Sequence, residues 1–196
     1  MAEFVSHNVI KSVVGKSWCR QFTNDDAPLK WRAQACGQAA CATAVSSNWG
    51  GLISNFSDVF DPPWNPDTHG LGTTPWRVKD ILQKRYKVRI ANVYGMEQLY
   101  SYLKNKVPVI VPLDLTAAKA MVKNFALHWV CVYGATDYNI LLSNFFYPGF
   151  ENDIEAATTT CFGRGSNVCP KGAFLDGWQA WTINAIGMGK RGFAII

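Results

Sequence analysis

The order of apolar and polar positions predicts two helices in the first half of the chain. Residues 37–47 are rich in alanine, with no helix breaker before Asn48 and the Gly50–Gly51 pair, which predicts a helix that ends near the glycines. Thr74 followed by Pro75 provides a capping hydroxyl and a first-turn proline, so a second helix is expected from there to about Arg85. The small residues of the first helix would let it pack closely against a neighbouring sheet.

The middle of the chain alternates as strands do. Residues 86–93 and the apolar run "VPVIVPL" at 107–113 each predict a strand, and a short helix is expected between them after Gly95. Pro108 and Pro112 favour an edge position for the second of these strands or an interruption at its ends, because proline cannot donate to the sheet ladder.

The strongest strand pair in the sequence is "ALHWVCVYG" followed by "YNILLSN", with a polar turn from Ala135 to Asp137. A hairpin centred on residue 136 would make His128 and Asn144 direct cross-strand neighbours on one face, ~5 Å apart at Cβ. A shift of one residue would send the two side chains to opposite faces. Further on, "FLDGWQAW" predicts a short helix and "GFAII" a final strand.

The composition is that of a globular chain with a sizeable core. With 196 residues, 48% of them hydrophobic and 17% charged, the chain suits one domain over residues 1–196, with 1–18 as a flexible or added start. The proline-rich stretch 58–72 predicts a loop. No transmembrane segment is expected, because no run of ~18 uninterrupted apolar residues occurs.

Charge and cysteine spacing exclude several function classes. The net charge is +5, but the basic residues are dispersed, so no nucleic-acid partner is expected. No cysteine pair has the two-residue gap typical of zinc sites, and neither a metal nor a cofactor is expected. Cys161 and Cys169 flank a Gly/Ser/Asn loop. A disulfide between them could close this loop, and the sequence does not decide whether it forms. Cys41 and Cys131 are expected to pack in the core.

One cysteine occupies a position that favours chemistry. Cys36 stands where a polar loop turns into the alanine-rich helix, and a helix N-terminus stabilises a thiolate and lowers the thiol pKa. The alternative is packing alone, since a buried cysteine behaves as a small apolar group. His128 is the candidate base, because His7 lies in the N-terminal segment and His69 in the proline-rich loop. Asn144, opposite His128 in the predicted hairpin, would accept from the imidazole and set its tautomer.

Three blocks resemble papain-fold cysteine peptidases of the bacteriocin-processing, C39-like group. "ACGQAACATAV" resembles the Cys-Gly signature that opens the central helix, "GMEQLYSYLKNKVPVIVPL" the short helix before a "PVIV" strand, and "HWVCVYGATDYNILLSN" the histidine strand and its hairpin. The blocks come in the family's order. The resemblance implies an α+β, papain-like fold, in which the N-terminal helix carrying the nucleophile packs on an antiparallel sheet. It also implies a triad of Cys36, His128 and Asn144.

The chain departs from the family pattern at two positions. The group usually has Asp followed by Pro as the third triad residue, whereas Asn144 supplies no charge to stabilise an imidazolium. The family's oxyanion glutamine commonly lies six residues before the cysteine, where this chain has Lys30. Gln21 is the first candidate for that role and Gln34 the second. The third alternative is that neither glutamine is the oxyanion donor. The backbone N–H of Cys36 would supply the other half of the oxyanion hole.

The resemblance implies a cysteine peptidase acting on a protein or peptide substrate. Two alternatives stay open: a glutamine deamidase or transamidase, which shares the acyl-enzyme step, and a catalytically degenerate papain-like module that binds a partner. The sequence shows no classical signal peptide and nothing like a transporter segment. It therefore suits a secreted bacterial effector or toxin domain that reaches a target cell by another route, with an unknown delivery partner or inhibitor protein.

Overall fold

The computed structural model describes residues 35–48, 63–65, 73–118, 127–143, 168–184 and 191–196. Within these ranges the helices are α1 (Cys36–Asn48), α2 (Pro75–Asp80, continued by a π-helical turn over Ile81–Arg85), α3 (Gly95–Lys104) and α4 (Lys171–Asn184). The strands are β1 (Ile90–Tyr94), β2 (Val109–Asp114), β3 (Leu127–Ala135), β4 (Asn139–Leu142), β5 (Val168–Pro170) and β6 (Arg191–Ile195). No helix in the described ranges is long and apolar enough to span a bilayer.

Local signals set where the helices begin. Thr74 Oγ1 accepts a hydrogen bond from the backbone N–H of Arg77 at 3.4 Å, and Pro75 occupies the first turn, so α2 begins as the capping pattern predicts. Gly95 opens α3 with a φ of 71°, a left-handed conformation that glycine adopts without steric cost. The helix predicted from residue 37 begins one residue earlier, at Cys36.

The strands form one antiparallel sheet in the order β1-β6-β2-β3-β4-β5. The last strand of the chain, β6, lies between β1 and β2, so β2 is an interior strand. The expectation of an edge position is therefore wrong, whereas Pro108 does lie at an end of the strand, directly before its first residue, Val109. Pro112 pairs with Trp129 inside the sheet, and β6 pairs with Val109 and Ile110. Pro112 lies beyond that stretch, so the ladder to β6 does not need its missing N–H.

Helices cover the sheet on both faces. The core under α1 and α2 includes, from the sheet, Ile110, Trp129, Cys131, Phe193 and Ile195. The core under α3 and α4 includes Val93, Val109, Val111, Leu113, Val130, Val132, Ile140, Leu142 and Ala194. Every residue of β2 is buried, because both of its faces are covered.

The hairpin of β3 and β4 is present, but its register differs from the predicted one. A hairpin centred on residue 136 requires Val132 to face Ile140, whereas Val132 pairs with Leu142. A bulge lies between Val132 and Gly134. At Val132 the observed shift is two residues, an even number, so facing residues there stay on one face while each has a different direct partner.

The position of the turn explains this shift. The backbone N–H of Thr136 donates to Asn139 O at 2.8 Å, and Thr136 Oγ1 accepts from the backbone N–H groups of Tyr138 and Asn139. The threonine hydroxyl thereby closes a turn over residues 136–139, later than the Ala135–Asp137 turn that the sequence predicts. The hairpin axis moves toward the C-terminus with it.

Candidate active site

Cys36 is the first residue of α1, and its side chain is 8% exposed. The backbone N–H groups of Trp129, Gly37 and Cys36 itself lie within hydrogen-bonding reach of its sulfur. Burial raises the pKa of the Cys36 thiol, and these three donors lower it by less. The expectation of a depressed Cys36 pKa is therefore wrong for this state, because the loss of solvation outweighs the N–H groups at the helix N-terminus.

The start of β3 lies directly against this thiol. Because the N–H of Trp129 contacts the sulfur, the peptide group that joins His128 to Trp129 lies beside Cys36. His128 is 7% exposed and pairs with Leu113 of β2. The structure thus brings the backbone at one predicted site residue, His128, to the side chain of another, Cys36.

The alternation of side chains along β3 determines from which side His128 approaches. Trp129 and Cys131 belong to the core under α1, whereas Val130 and Val132 belong to the core under α4. By the same alternation the Cβ of His128 lies on the side of Val130. His128 is the second residue of its strand, so this position is at the rim of the sheet.

Two buried polar side chains connect the first turn of α1 to other segments. Gln38 is fully buried; its Nε2 donates to Trp64 O at 2.9 Å, and its Oε1 accepts from Thr73 Oγ1 at 2.7 Å. The indole N–H of Trp129 donates to Thr73 O at 2.6 Å. These hydrogen bonds join α1, the residue before the α2 cap and the strand that carries His128.

The position of Gly37, the glycine of the Cys-Gly pair, has no room for a side chain. A Cβ on Gly37 would lie 2.4 Å from Thr73 Cβ, closer than two side chains can approach. The sequence argument assigns Gly37 to close packing between α1 and the sheet, whereas its near neighbour is Thr73. Neither Gln38 nor Thr73 was predicted for the site, because no local pattern marks a contact between residues so far apart in sequence.

Trp64 lies beside the same helix. Its ring packs against the core under α1, and the Arg77 guanidinium lies 6.0 Å from the ring centroid. Arg77 Nη2 also donates to Pro63 O and, at 3.4 Å, to Asn65 O. Residues 63–65 are therefore held against α2 by Arg77 and against α1 by Gln38.

The other described cysteines are buried thiols. Cys41 is fully buried, and its thiol donates to Val78 O at 3.8 Å. Burial raises the pKa of both Cys41 and Cys131, and the nearby sulfurs of Cys131 and Cys36 raise that of Cys41 further. Their places in the core agree with a packing role. Cys169 is also buried, and it carries a free thiol in the described part of the chain.

Four residues that the sequence analysis singled out lie outside the described residues. These are Gln21 and Gln34, the candidates for the oxyanion hole, Asn144, the candidate orienter, and Cys161 of the suggested disulfide. Their roles stay predictions. Within the part of the chain that the structure describes, no group of three or more His, Cys, Asp or Glu side chains could hold a metal ion.

The fold has a counterpart among solved structures. A crystal structure from Bacillus anthracis, named as a "putative C39-like peptidase", matches with a TM-score of 0.53 at 13% sequence identity, over 83% of this chain and 88% of that one. No protein-family model matches the sequence. No curated protein matches it either. The likeness supports a C39-like, papain-like fold for this chain, consistent with an α+β architecture on a six-stranded antiparallel sheet.

Proposed function

We propose that this chain is a cysteine peptidase that attacks a peptide carbonyl through Cys36. The observation that carries the proposal is the position of the Cys36 sulfur, at the N-terminus of α1 and against the peptide group between His128 and Trp129. Nucleophilic thiol catalysis also requires a base that reaches the sulfur. In this proposal the imidazole of His128 does so around the rim of the sheet, because its backbone borders the thiol while its Cβ lies on the side of Val130. The fold likeness to a protein named as a C39-like peptidase supports the same class of activity.

In this proposal His128 deprotonates the nucleophile as the reaction begins. Burial raises the pKa of Cys36, so the resting thiol keeps its proton and needs a base to remove it. The sulfur bonds to the carbonyl carbon while the proton passes to the imidazole, which then gives it to the departing amine. Water hydrolyses the thioester and restores the thiol. The backbone N–H of Cys36 stabilises the oxyanion, with Gln21 or Gln34 as the proposed second donor.

Asn144 is the proposed orienter of the imidazole. The described β3–β4 contacts reach Ser143, whose backbone N–H donates to Cys131 O at 2.8 Å. Asn144 itself lies outside the described residues, so its placement is part of the proposal: in the register of Val132 and Leu142 it would be a diagonal neighbour of His128, at ~7–8 Å. Two side chains of this length span such a distance, so the two-residue shift is compatible with an Asn144–His128 hydrogen bond.

The proposal is tested by treating a cell-extract proteome with the purified protein and sequencing new peptide termini by mass spectrometry. We expect new termini with the wild type and with Cys131→Ala, a control that removes another buried thiol of the same core. Cys36→Ala and His128→Ala should each reduce the yield more than about 10³-fold, as loss of a triad member does. One-dalton shifts on glutamine without new termini would indicate a deamidase instead. Full activity in Cys36→Ala would overturn the proposal.

A further inference from the structure

Thr73 makes hydrogen bonds in two directions that matter for Cys36. Its hydroxyl donates to Gln38 Oε1 at 2.7 Å, and its carbonyl accepts from the indole N–H of Trp129 at 2.6 Å. Gln38 lies two residues after Cys36 on α1, and the backbone N–H of Trp129 contacts the Cys36 sulfur. The contacts therefore form a closed circuit that runs from Cys36 through Gln38, Thr73 and Trp129 and returns to the sulfur.

The space around Thr73 holds it in this position. It is 4% exposed, and its Cβ lies where a side chain on Gly37 would be, 2.4 Å from the ideal Cβ position of that glycine. Thr73 thus packs directly on the backbone of the residue after Cys36. Its hydroxyl and carbonyl are fixed with respect to α1 by both shape and hydrogen bonding.

This circuit has a consequence for the thiol. The strength of a hydrogen bond depends steeply on distance and angle, so the donor at Trp129 is effective only while β3 keeps its place beside the start of α1. Thr73 is 35 residues from Gln38 and 56 from Trp129, and it is bonded to both. It therefore fixes the separation between the helix start and the strand at the point where the sulfur meets its donor.

We propose that Thr73 is a positioning residue, which holds the backbone N–H of Trp129 against the sulfur of Cys36. The inference rests on the proposed function, in which Cys36 is the nucleophile. Thr73 acts through Gln38 and Trp129 and takes no part in the bond changes of the reaction. Its contribution is to keep a donor on the sulfur in a site where burial disfavours the thiolate.

The test is the pH dependence of Cys36 alkylation by iodoacetamide, followed peptide by peptide with mass spectrometry in the full chain. Thr73→Val keeps the branched shape beside Gly37 and removes the hydroxyl. We expect it to raise the apparent pKa of Cys36 by about one unit, which slows alkylation at pH 7 about tenfold. Thr73→Ser keeps the hydroxyl and should remain within about twofold of the wild type.

The matched control is Ser46→Ala. Ser46 is a fully buried residue of the same helix, and its hydroxyl has no hydrogen-bond partner among the described residues, so its loss should leave the profile unchanged. Trp129→Phe is a second variant that tests the same contact. It removes the indole donor and keeps an aromatic ring beside Phe193, whose ring centroid lies 6.4 Å from that of Trp129 in the wild type. It should shift the profile in the direction of Thr73→Val.

The results separate this inference from the proposed function. A Thr73→Val profile that superimposes on that of the wild type, or an equal shift in Ser46→Ala, would overturn the role of Thr73 even in an active peptidase. A shift of the Cys36 alkylation profile that is confined to Thr73→Val and Trp129→Phe, in a protein that cleaves no peptide, would support the positioning role and overturn the proposed peptidase function. If Thr73→Val does not fold, as judged by circular dichroism, Trp129→Phe decides.

Discussion

At the scale of single residues, the neighbourhood of Cys36 depends on buried polar side chains with partners elsewhere in the chain. Gln38 is bonded at both ends of its amide, and Ser143 Oγ accepts from the backbone N–H of Cys131 at 3.1 Å. Ser46 is the contrast, since its buried hydroxyl has no partner in the described ranges. A buried polar group contributes to stability only when it is paired, so these residues should differ sharply on substitution.

We expect Gln38→Leu to lower the free energy of unfolding by about 2–4 kcal/mol. The substitution removes the acceptor of the Thr73 hydroxyl and the donor to Trp64 O, and both atoms lie at the buried start of α1. Urea denaturation measures the change.

Ser46→Ala is the control for this prediction. It should change the unfolding free energy by less than about 1 kcal/mol, because no described hydrogen bond is lost. Equal stability of the wild type and Gln38→Leu would mean that the amide of Gln38 contributes nothing net to the fold.

At the scale of elements, α4 approaches the sheet closely at one glycine. A Cβ on Gly177 would lie 2.8 Å from Asp114 O at the end of β2 and 2.7 Å from Ala118 Cβ. One residue further on, the indole N–H of Trp178 donates to Arg191 O at 2.9 Å, which joins α4 to the first residue of β6. The helix therefore contacts two neighbouring strands through its backbone and a tryptophan.

Gly177→Ala should destabilise the protein by about 1–3 kcal/mol, because α4 must move away from β2 to admit the methyl group. Gly172→Ala provides the comparison on the same helix, since no atom lies within 4 Å of its ideal Cβ position. That substitution should be neutral or stabilise by up to about 1 kcal/mol through the higher helix propensity of alanine. Thermal or urea unfolding measures the stability of the two variants. Equal stability of Gly177→Ala and Gly172→Ala would contradict the packing argument.

At the scale of the whole molecule, coverage of both sheet faces buries every described cysteine. Cys36, Cys41, Cys131 and Cys169 are free thiols, and burial raises the pKa of each. The folded protein therefore keeps thiol protons that the unfolded chain loses at lower pH. This contribution to stability is present in full below the unfolded pKa of about 8.5, and it is lost as the pH rises from there toward the folded values.

We predict that the unfolding free energy falls as the pH rises above about 8.5, by up to about 1.4 kcal/mol per pH unit for each buried thiol. Urea denaturation at pH 8, 9 and 10 under reducing conditions measures the slope. Cys131→Ala removes one fully buried thiol and should make the slope shallower by about 1.4 kcal/mol per pH unit over this range. Identical slopes in the two proteins would show that Cys131 does not titrate as its burial requires.

The elements that follow from near neighbours were predictable from sequence. The start of α1 at Cys36, the Thr74 cap of α2, the helix after Gly95 and the strands of the β3–β4 hairpin all depend on side chains within a few positions of one another. The same local reasoning selected Cys36 and His128 as candidates, because it asks where a helix or strand begins. It placed the turn of the hairpin too early, because it did not use the Thr136 hydroxyl as a turn-closing group.

The sequence by itself determined the types of most elements and the candidate chemistry of Cys36 and His128. Tertiary structure decided that β6 lies between β1 and β2, which makes β2 interior despite Pro112. It also decided that burial governs the Cys36 pKa and that Thr73 joins α1 to β3. The physical reason is one of range: propensity, capping and periodicity act over a few residues, whereas solvation and strand order depend on segments brought together only by folding.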